Sequence, residues 1–309
     1  MLIDLVKNIT TMSNLIAIFD QRMYSIIDPN ANLEKLVGGA KHTEGAVYVP
    51  EDDSVIFSDV SGDRLLRWNA VDGVSLIHEL SYYYHNGNYL DLEGRLVSCS
   101  HGKRAIMRRE HSGEWVILGD RYQNNRFNSP NDLVVKSDGT IWFTDPPFGL
   151  TQPSEGCGGQ QEQAGSFVYR FDPETGEIDA VIKEMERPNG LAFSPDESIL
   201  YVSDTSQVNY PQGHHYIRAY DLVNEKQVNT NHSRVFAVIE PGQPDGFRVD
   251  RQGNIFTSSA DSVQVYDSEG ICLGKIFVPE VVANLTFGGK DGKLLFIAAG
   301  SSLYAINLK

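Results

Sequence analysis

SPNDLVVKSDGTIWFTD, residues 129–145, decides how the chain is to be read. A polar pair, Asn131 and Asp132, stands ahead of an apolar alternation, a Ser-Asp-Gly turn and a second alternation that closes on Thr-Asp. Two period-two runs around a Gly-containing turn are the sequence form of a β-hairpin. The shape returns in RPNGLAFSPDESILYVSD, residues 187–204, with Asn189 in the place of Asn131. Aligned on that polar position, four further copies appear: TEGAVYVPEDDSVIFSD from Thr43, HNGNYLDLEGRLVSC from His85, PDGFRVDRQGNIFTSS from Pro244 and ANLTFGGKDGKLLFIAA from Ala283. The copies agree in pattern rather than identity. A third alternating run follows each of them: DRLLRW, RAIMRR, SFVYRF, YIRAYD, SVQVYD and SLYAIN.

Three to four antiparallel strands recurring roughly every 40 to 58 residues, with almost no helical periodicity, predict an all-β chain folded as a six-bladed β-propeller. A pair of β-sandwiches would leave the shared polar position unexplained. The expected organisation is one domain over residues 1–309. Residues 1–42 are expected to supply strands that close the ring and so remove exposed sheet edges. The Gly- and Gln-rich stretch 151–165, TQPSEGCGGQQEQAG, reads as an insertion in the third blade, a lid or a loop.

Composition narrows the function. The 309 residues are 41% hydrophobic with a formal net charge of −15. An acidic chain lacks the basic stripe that displaces counterions from nucleic acid, so no nucleic-acid partner is expected. Cys99, Cys157 and Cys272 are odd in number and lack Cys-x-x-Cys spacing, which suggests neither a disulfide framework nor a zinc knuckle. The opening residues interrupt their apolar stretch with Asp4, Asn8, Thr10 and Thr11, so no signal peptide or membrane span is drawn and a cytoplasmic location is expected. Serine-hydrolase, zincin and nucleotide motifs are missing from the sequence.

In a propeller the first strand of each blade lines the axial channel, so the six shared polar residues converge: Glu44, Asn86, Asn131, Asn189, Asp245 and Asn284. Two carboxylates and four amides, with no lysine or arginine, form an oxygen cage suited to one hard divalent ion. Ca²⁺ is the first expectation, with Mg²⁺, Mn²⁺ or Zn²⁺ as alternatives. The plain alternative is that Asn-Gly and Asp-Gly merely start each strand as turn dipeptides. Asp59, Asp145 and Asp204, at the ends of second strands, read as structural groups binding backbone or arginine. Trp142 and Phe143 read as blade packing. Asp132 alternates away from the cage unless a loop conformation turns it inward. Among the histidines, His42, His85, His101, His214 and His215 lie where they could reach the channel mouth.

As an ordered set, TEG, SPNDLVV, RPNGLAFSPD, QPDGFRVD and NLTFGG resemble the regucalcin and gluconolactonase (senescence marker protein) family of six-bladed propeller lactonases, from Glu44 onward. The resemblance implies metal ligands at Glu44, Asn189 and Asp245, with Asn131 beside the metal in contact with water or substrate. Where the regucalcin branch has an arginine two residues before that asparagine, this chain has Ser129, with Arg126 a little earlier. SHGKR (100–104) and GHHYIRAYD (213–221) are closer to the bacterial gluconolactonase branch. The implied function is metal-dependent hydrolysis of a small-molecule sugar lactone such as glucono-1,5-lactone, with Asp245 as base and Asn131 assisting. Asn86, Asn131, Arg126, His101 and His215 are the expected substrate contacts. A non-catalytic calcium-binding propeller and a metal-dependent esterase or organophosphate hydrolase are the alternatives. Oligomeric state is not read from the sequence.

Overall fold

The computed structural model describes residues 15–78 and 82–309. Residues 1–14, the stretch searched above for a leader, lie outside it. Six sheets of four or more antiparallel strands follow one another along the chain, and each begins with its innermost strand. The innermost strands are Thr43–Val49, His85–Leu90, Leu133–Val135, Pro188–Phe193, Phe247–Val249 and Val282–Gly288, in blades one to six. They pack around one axis, as the hairpin repeat predicts. The N-terminal strands complete the last two blades: Ile16–Ile18 pairs with Cys272–Phe277, and Glu34–Val37 pairs with Ser302–Asn307. The final blade is therefore assembled from both ends of the chain. A two-stranded ribbon, Arg121–Tyr122 with Asn125–Arg126, stands outside the blades. No described helix is long and apolar enough to cross a membrane.

Strand alternation does the packing. Successive residues of a strand point to opposite faces, and each face of a blade meets a different neighbour. Phe143 joins Val97, Ile106, Phe127 and Tyr169 in the core between blades two and three. Its neighbour Trp142 joins Phe193, Leu200 and Tyr220 between blades three and four. Both are fully buried, so neither offers a stacking platform. Equivalent clusters fill the other interfaces, and the one between blades five and six also takes Ile16, Met23 and Ile27 from the N-terminal segment.

At the axis the strands approach too closely for side chains on every residue. A Cβ on Gly190 would overlap the carbonyl oxygen of Asp245 in the next blade, and one on Gly246 would overlap the Asn284 side chain. Gly45 and Gly87 are closed in by Asn86 and Asn131–Asp132 in the same way. These glycines serve contact between blades, not turns. Four inner strands slip register against their second strands at this point, at Glu44/Val47, His85/Asn88, Pro188/Leu191 and Val282/Asn284. Such a bulge bends a strand and re-aims one side chain.

The recurrent Ser/Thr-Asp that ends the second strands has two jobs. The Ser58, Thr144 and Ser203 hydroxyls donate to the carbonyls of Asn86, Asn189 and Asp245 in the following blade, at 2.7, 2.7 and 2.9 Å. The aspartates peg the incoming chain: Asp59 accepts from Lys41 N, His42 N and Arg64, Asp145 from Asn128 N, and Asp204 from Glu186 N and Ser206 N. The structural reading of these acids holds.

Gly190→Ala is expected to lower stability by about 2 kcal/mol or more, because the clash is with backbone that cannot repack. Denaturant titration checks this, and an unchanged midpoint would show that the blades can move apart.

Candidate active site in the axial channel

The bulges carry Glu44, Asn86, Asn189 and Asn284, while Asn131 and Asp245 lie just ahead of their inner strands. Glu44, Asn86, Asn131, Asn189 and Asn284 are buried, and Asp245 is partly exposed. They do not form six equal ligands. The Glu44 carboxylate accepts from Gly45 N at 2.6 Å and from Asn284 Nδ2 at 2.9 Å. Asn284 Oδ1 is occupied by Leu285 N at 2.8 Å, so this amide is a strut for Glu44 and turns its oxygen back to the backbone. Asn189 Nδ2 donates to Thr205 Oγ1 at 3.3 Å, which aims its oxygen elsewhere. His101 Nδ1 lies 2.9 Å from the Glu155 carbonyl and must donate to it, leaving Nε2 to accept from Asn86 at 3.2 Å and Asn131 at 3.4 Å. His101 is thus neutral, in line with burial lowering its pKa. It orients two ring amides from behind.

Asp132 corrects the alternation argument. Regular strand begins only at Leu133, so residues 131 and 132 are not bound by strand alternation and both turn inward. The Asp132 carboxylate accepts from Leu133 N at 2.8 Å, lies 3.4 Å from Asn284 Nδ2 and sits 3.7 Å from Arg248 Nη1. Arg248, one of the buried charges, stands between the ring and a hollow of about 180 Å³ at the far end of the channel. Asp132, Asn284 and Glu44 therefore form one buried chain anchored by a guanidinium.

Two residues at the mouth carry no signal in the repeat. The insertion 151–165 folds over blades one to three, where Glu162 accepts from Arg126 N at 2.9 Å and Gln163 Nε2 donates to the carbonyl of Asn125 at 2.8 Å. It carries Glu155 to within 3.2 Å of His42 Nδ1. Burial alone would lower the His42 pKa, but the Glu155 hydrogen bond and the charges of Glu155, Glu44 and Asp245 outweigh it and push it up to about 9. A cationic imidazole thus lies beside the acids. Arg126 and His215 are not gathered with the ring by any hydrogen bond. Arg126 Nη2 donates to the Lys103 carbonyl at 2.8 Å, and His215 faces Glu240 at 3.7 Å. His85 is spent on Ser98 and His78, and His214 on Asp204 and Tyr216.

The acids are short of positive charge. Removal from water, then His42 and Asp132 in opposite senses, leave Glu44 raised to about 7. Removal from water and the nearby Glu44 charge push Asp245 well above the usual carboxylate range. No hydrogen bond from the described residues holds the Asp245 carboxylate in its ionised form. The Asn86 Oδ1 atom is buried without a partner, and such an atom costs free energy unless a ligand meets it. Among the described residues no three His, Cys, Asp or Glu are grouped to hold a metal, so a cation here depends on amide oxygens as well as on the two acids. Carboxylate and amide oxygens of this kind fit a hard divalent ion.

Fold and channel define a six-bladed propeller with a polar, acid-rich axial site. The chain belongs to the SMP-30/Gluconolactonase/LRE-like family, whose characteristic region matches residues 42–301. It is 30% identical to a gluconolactonase of Zymomonas mobilis over 307 residues, covering 94% of this chain and 85% of that one. It is 28% identical to a pentonolactonase of Haloferax volcanii, over 82% of this chain and 80% of that one. A solved gluconolactonase from Xanthomonas campestris superposes with a TM-score of 0.88 at 38% identity, over 95% of this chain and 94% of that chain.

Arg248→Met is expected to cost about 3–5 kcal/mol, because it leaves Asp132 buried without its cation. Adding Asp132→Asn should recover most of that loss. Urea titration of the single and double variants checks both, and a single variant within about 1 kcal/mol of the parent would show that the pair is not coupled.

Proposed function

We propose that this lactonase hydrolyses a sugar lactone of the glucono-1,5-lactone type to the aldonic acid, with a divalent ion held by Glu44, Asn189 and Asp245. The observation that carries the reading is Asp245, a carboxylate at the open end of the ring that no hydrogen bond from the described residues occupies. When bound, a divalent ion supplies polarisation of the lactone carbonyl and a water of lowered pKa. Asp245 would be held in its charged form by such a cation, against the upward shift caused by burial and by Glu44.

Asp245 is placed to take the proton of the attacking water as its oxygen bonds to the lactone carbonyl carbon. As the bond between that carbon and the ring oxygen breaks, the same carboxyl group returns the proton to the departing oxygen. Atoms balance: water adds across one ester bond and one carboxylic acid forms. Glu44, fixed by Gly45 N and Asn284, is a ligand and not a base. Asn131 and Asn86, whose Nδ2 groups donate to His101, turn their amide oxygens to accept from the substrate hydroxyls. His42, fixed by Glu155, stands on the same side.

Proton release from glucono-1,5-lactone above its spontaneous hydrolysis should vanish in chelator-stripped protein and return with one of Ca²⁺, Mg²⁺, Mn²⁺ or Zn²⁺. Calorimetric titration should show one site per chain, weakened in Glu44→Gln. Asp245→Ala should lower kcat by roughly 10²- to 10⁴-fold, the usual worth of a general base. Full activity in the stripped protein would remove the metal from the reading, and wild-type rates in folded Asp245→Ala would remove the base.

A further inference from the structure

The mouth of the channel is unevenly covered. Over blades one to three lies the insertion, with Glu155 against His42 and His101. Between blades four and five lies an open hollow of about 510 Å³, lined by Gln207, His215, Glu240, Pro241 and Gly242. That volume falls in the range of roughly 300–1,000 Å³ that small-molecule sites occupy.

The hollow shares its backbone with the two ring residues nearest to it. Gln207 follows Thr205, the hydrogen-bond partner of Asn189, by two positions in the turn Ser206–Val208. Gly242 precedes Asp245 by three positions, and the Asp245 amide is itself tied to Ser258 Oγ at 2.6 Å. The wall is firm. The Glu240 carbonyl accepts from Gln264 Nε2 and Lys275 Nζ, the Pro241 carbonyl accepts from Ala260 N, and Ile239 N donates to the His215 carbonyl. The walls of the hollow thus continue into the loops that carry Asn189 and Asp245, across blades four and five.

The chemistry of the lining chooses the extension. His215 Nδ1 is buried with no hydrogen-bond partner, and its Nε2 is 3.7 Å from Glu240, too far for a hydrogen bond. Gln207 adds an amide donor and acceptor, and the Glu240 side chain is 79% exposed. An amide, an imidazole and a carboxylate around an open hollow match neutral hydroxyl groups. A phosphate, sulfonate or uronate would meet the Glu240 charge, and an alkyl chain would leave the polar wall unpaired. We propose that this hollow is a second sugar subsite, so that the enzyme takes lactones of disaccharide aldonic acids, with the lactone ring at the axis and the glycosyl unit against Gln207, His215 and Glu240. This rests on the lactonase reading above.

The test compares kcat/KM for glucono-1,5-lactone and for its 4-O-glucosyl derivative, cellobionolactone, each corrected for spontaneous hydrolysis. In the parent protein both should be substrates. In Gln207→Trp, which fills the hollow, and in Glu240→Ala, which removes an acceptor, the ratio of the disaccharide value to the monosaccharide value should fall by about tenfold, mainly through KM. Turnover of the monosaccharide lactone in the same variants reports that they are folded. If the parent hydrolyses glucono-1,5-lactone and the ratio stays within about twofold in both variants, the subsite is overturned while the lactonase reading stands. If the parent hydrolyses neither lactone, the lactonase reading itself falls, and the subsite with it.

Discussion

Everything at the axis follows from how closely six inner strands are brought together. Carbonyls of one blade touch the glycines of the blade before it, as Asn86 does Gly45 and Asp245 does Gly190. Side chains are excluded there, and the backbone must still find partners. It does so across blades: Gly87 N donates to Asn131 O at 2.8 Å, Gly246 N to Ala283 O at 2.7 Å, and the second-strand hydroxyls take further carbonyls. Strands that spend these groups on a neighbouring blade cannot also pair regularly within their own. The register slips, and the residue before the glycine is turned to the axis. The polar ring is thus the outlet of a packing constraint.

This explains why so much was legible in the sequence. Period-two alternation over a turn is local information, and six copies of it specify six blades. Glu44, Asn86 and Asn189 at the slips, and Asp245 just ahead of its strand, are each marked by a following glycine and could be picked out without a structure. The Ser/Thr-Asp ending was legible as structural in its acid but not in its hydroxyl, because the carbonyl it serves belongs to another blade. Asn284 was legible as a ring member but not as a strut. Its role is set by Glu44, some 240 positions away.

What stayed hidden depends on approach between distant segments. Asp132 reads as facing outward if the strand is assumed to begin at the repeat, and only the late start at Leu133 frees it. Arg248 sits in an inner strand where alternation gives it a face but not a partner, and its partner lies in a blade across the channel. Glu155 belongs to an insertion with no counterpart in the other repeats, so no alignment of copies can point to it. Its value comes from where Arg126 and Asn125 hold the insertion.

The charges at the axis form two layers of different kind. Deeper in the channel, Asp132 has a guanidinium 3.7 Å away and a backbone donor at 2.8 Å, yet burial still raises its proton affinity. At the ring, the Glu44 charge raises the proton affinity of Asp245, and both acids share the imidazole of His42. A protein that had needed only stability could have paired these acids as it paired Asp132, since breaking or leaving open a buried charge costs several kcal/mol. The unmet negative charge of Glu44 and Asp245 is left where a cation and a neutral, hydroxyl-bearing substrate can meet it.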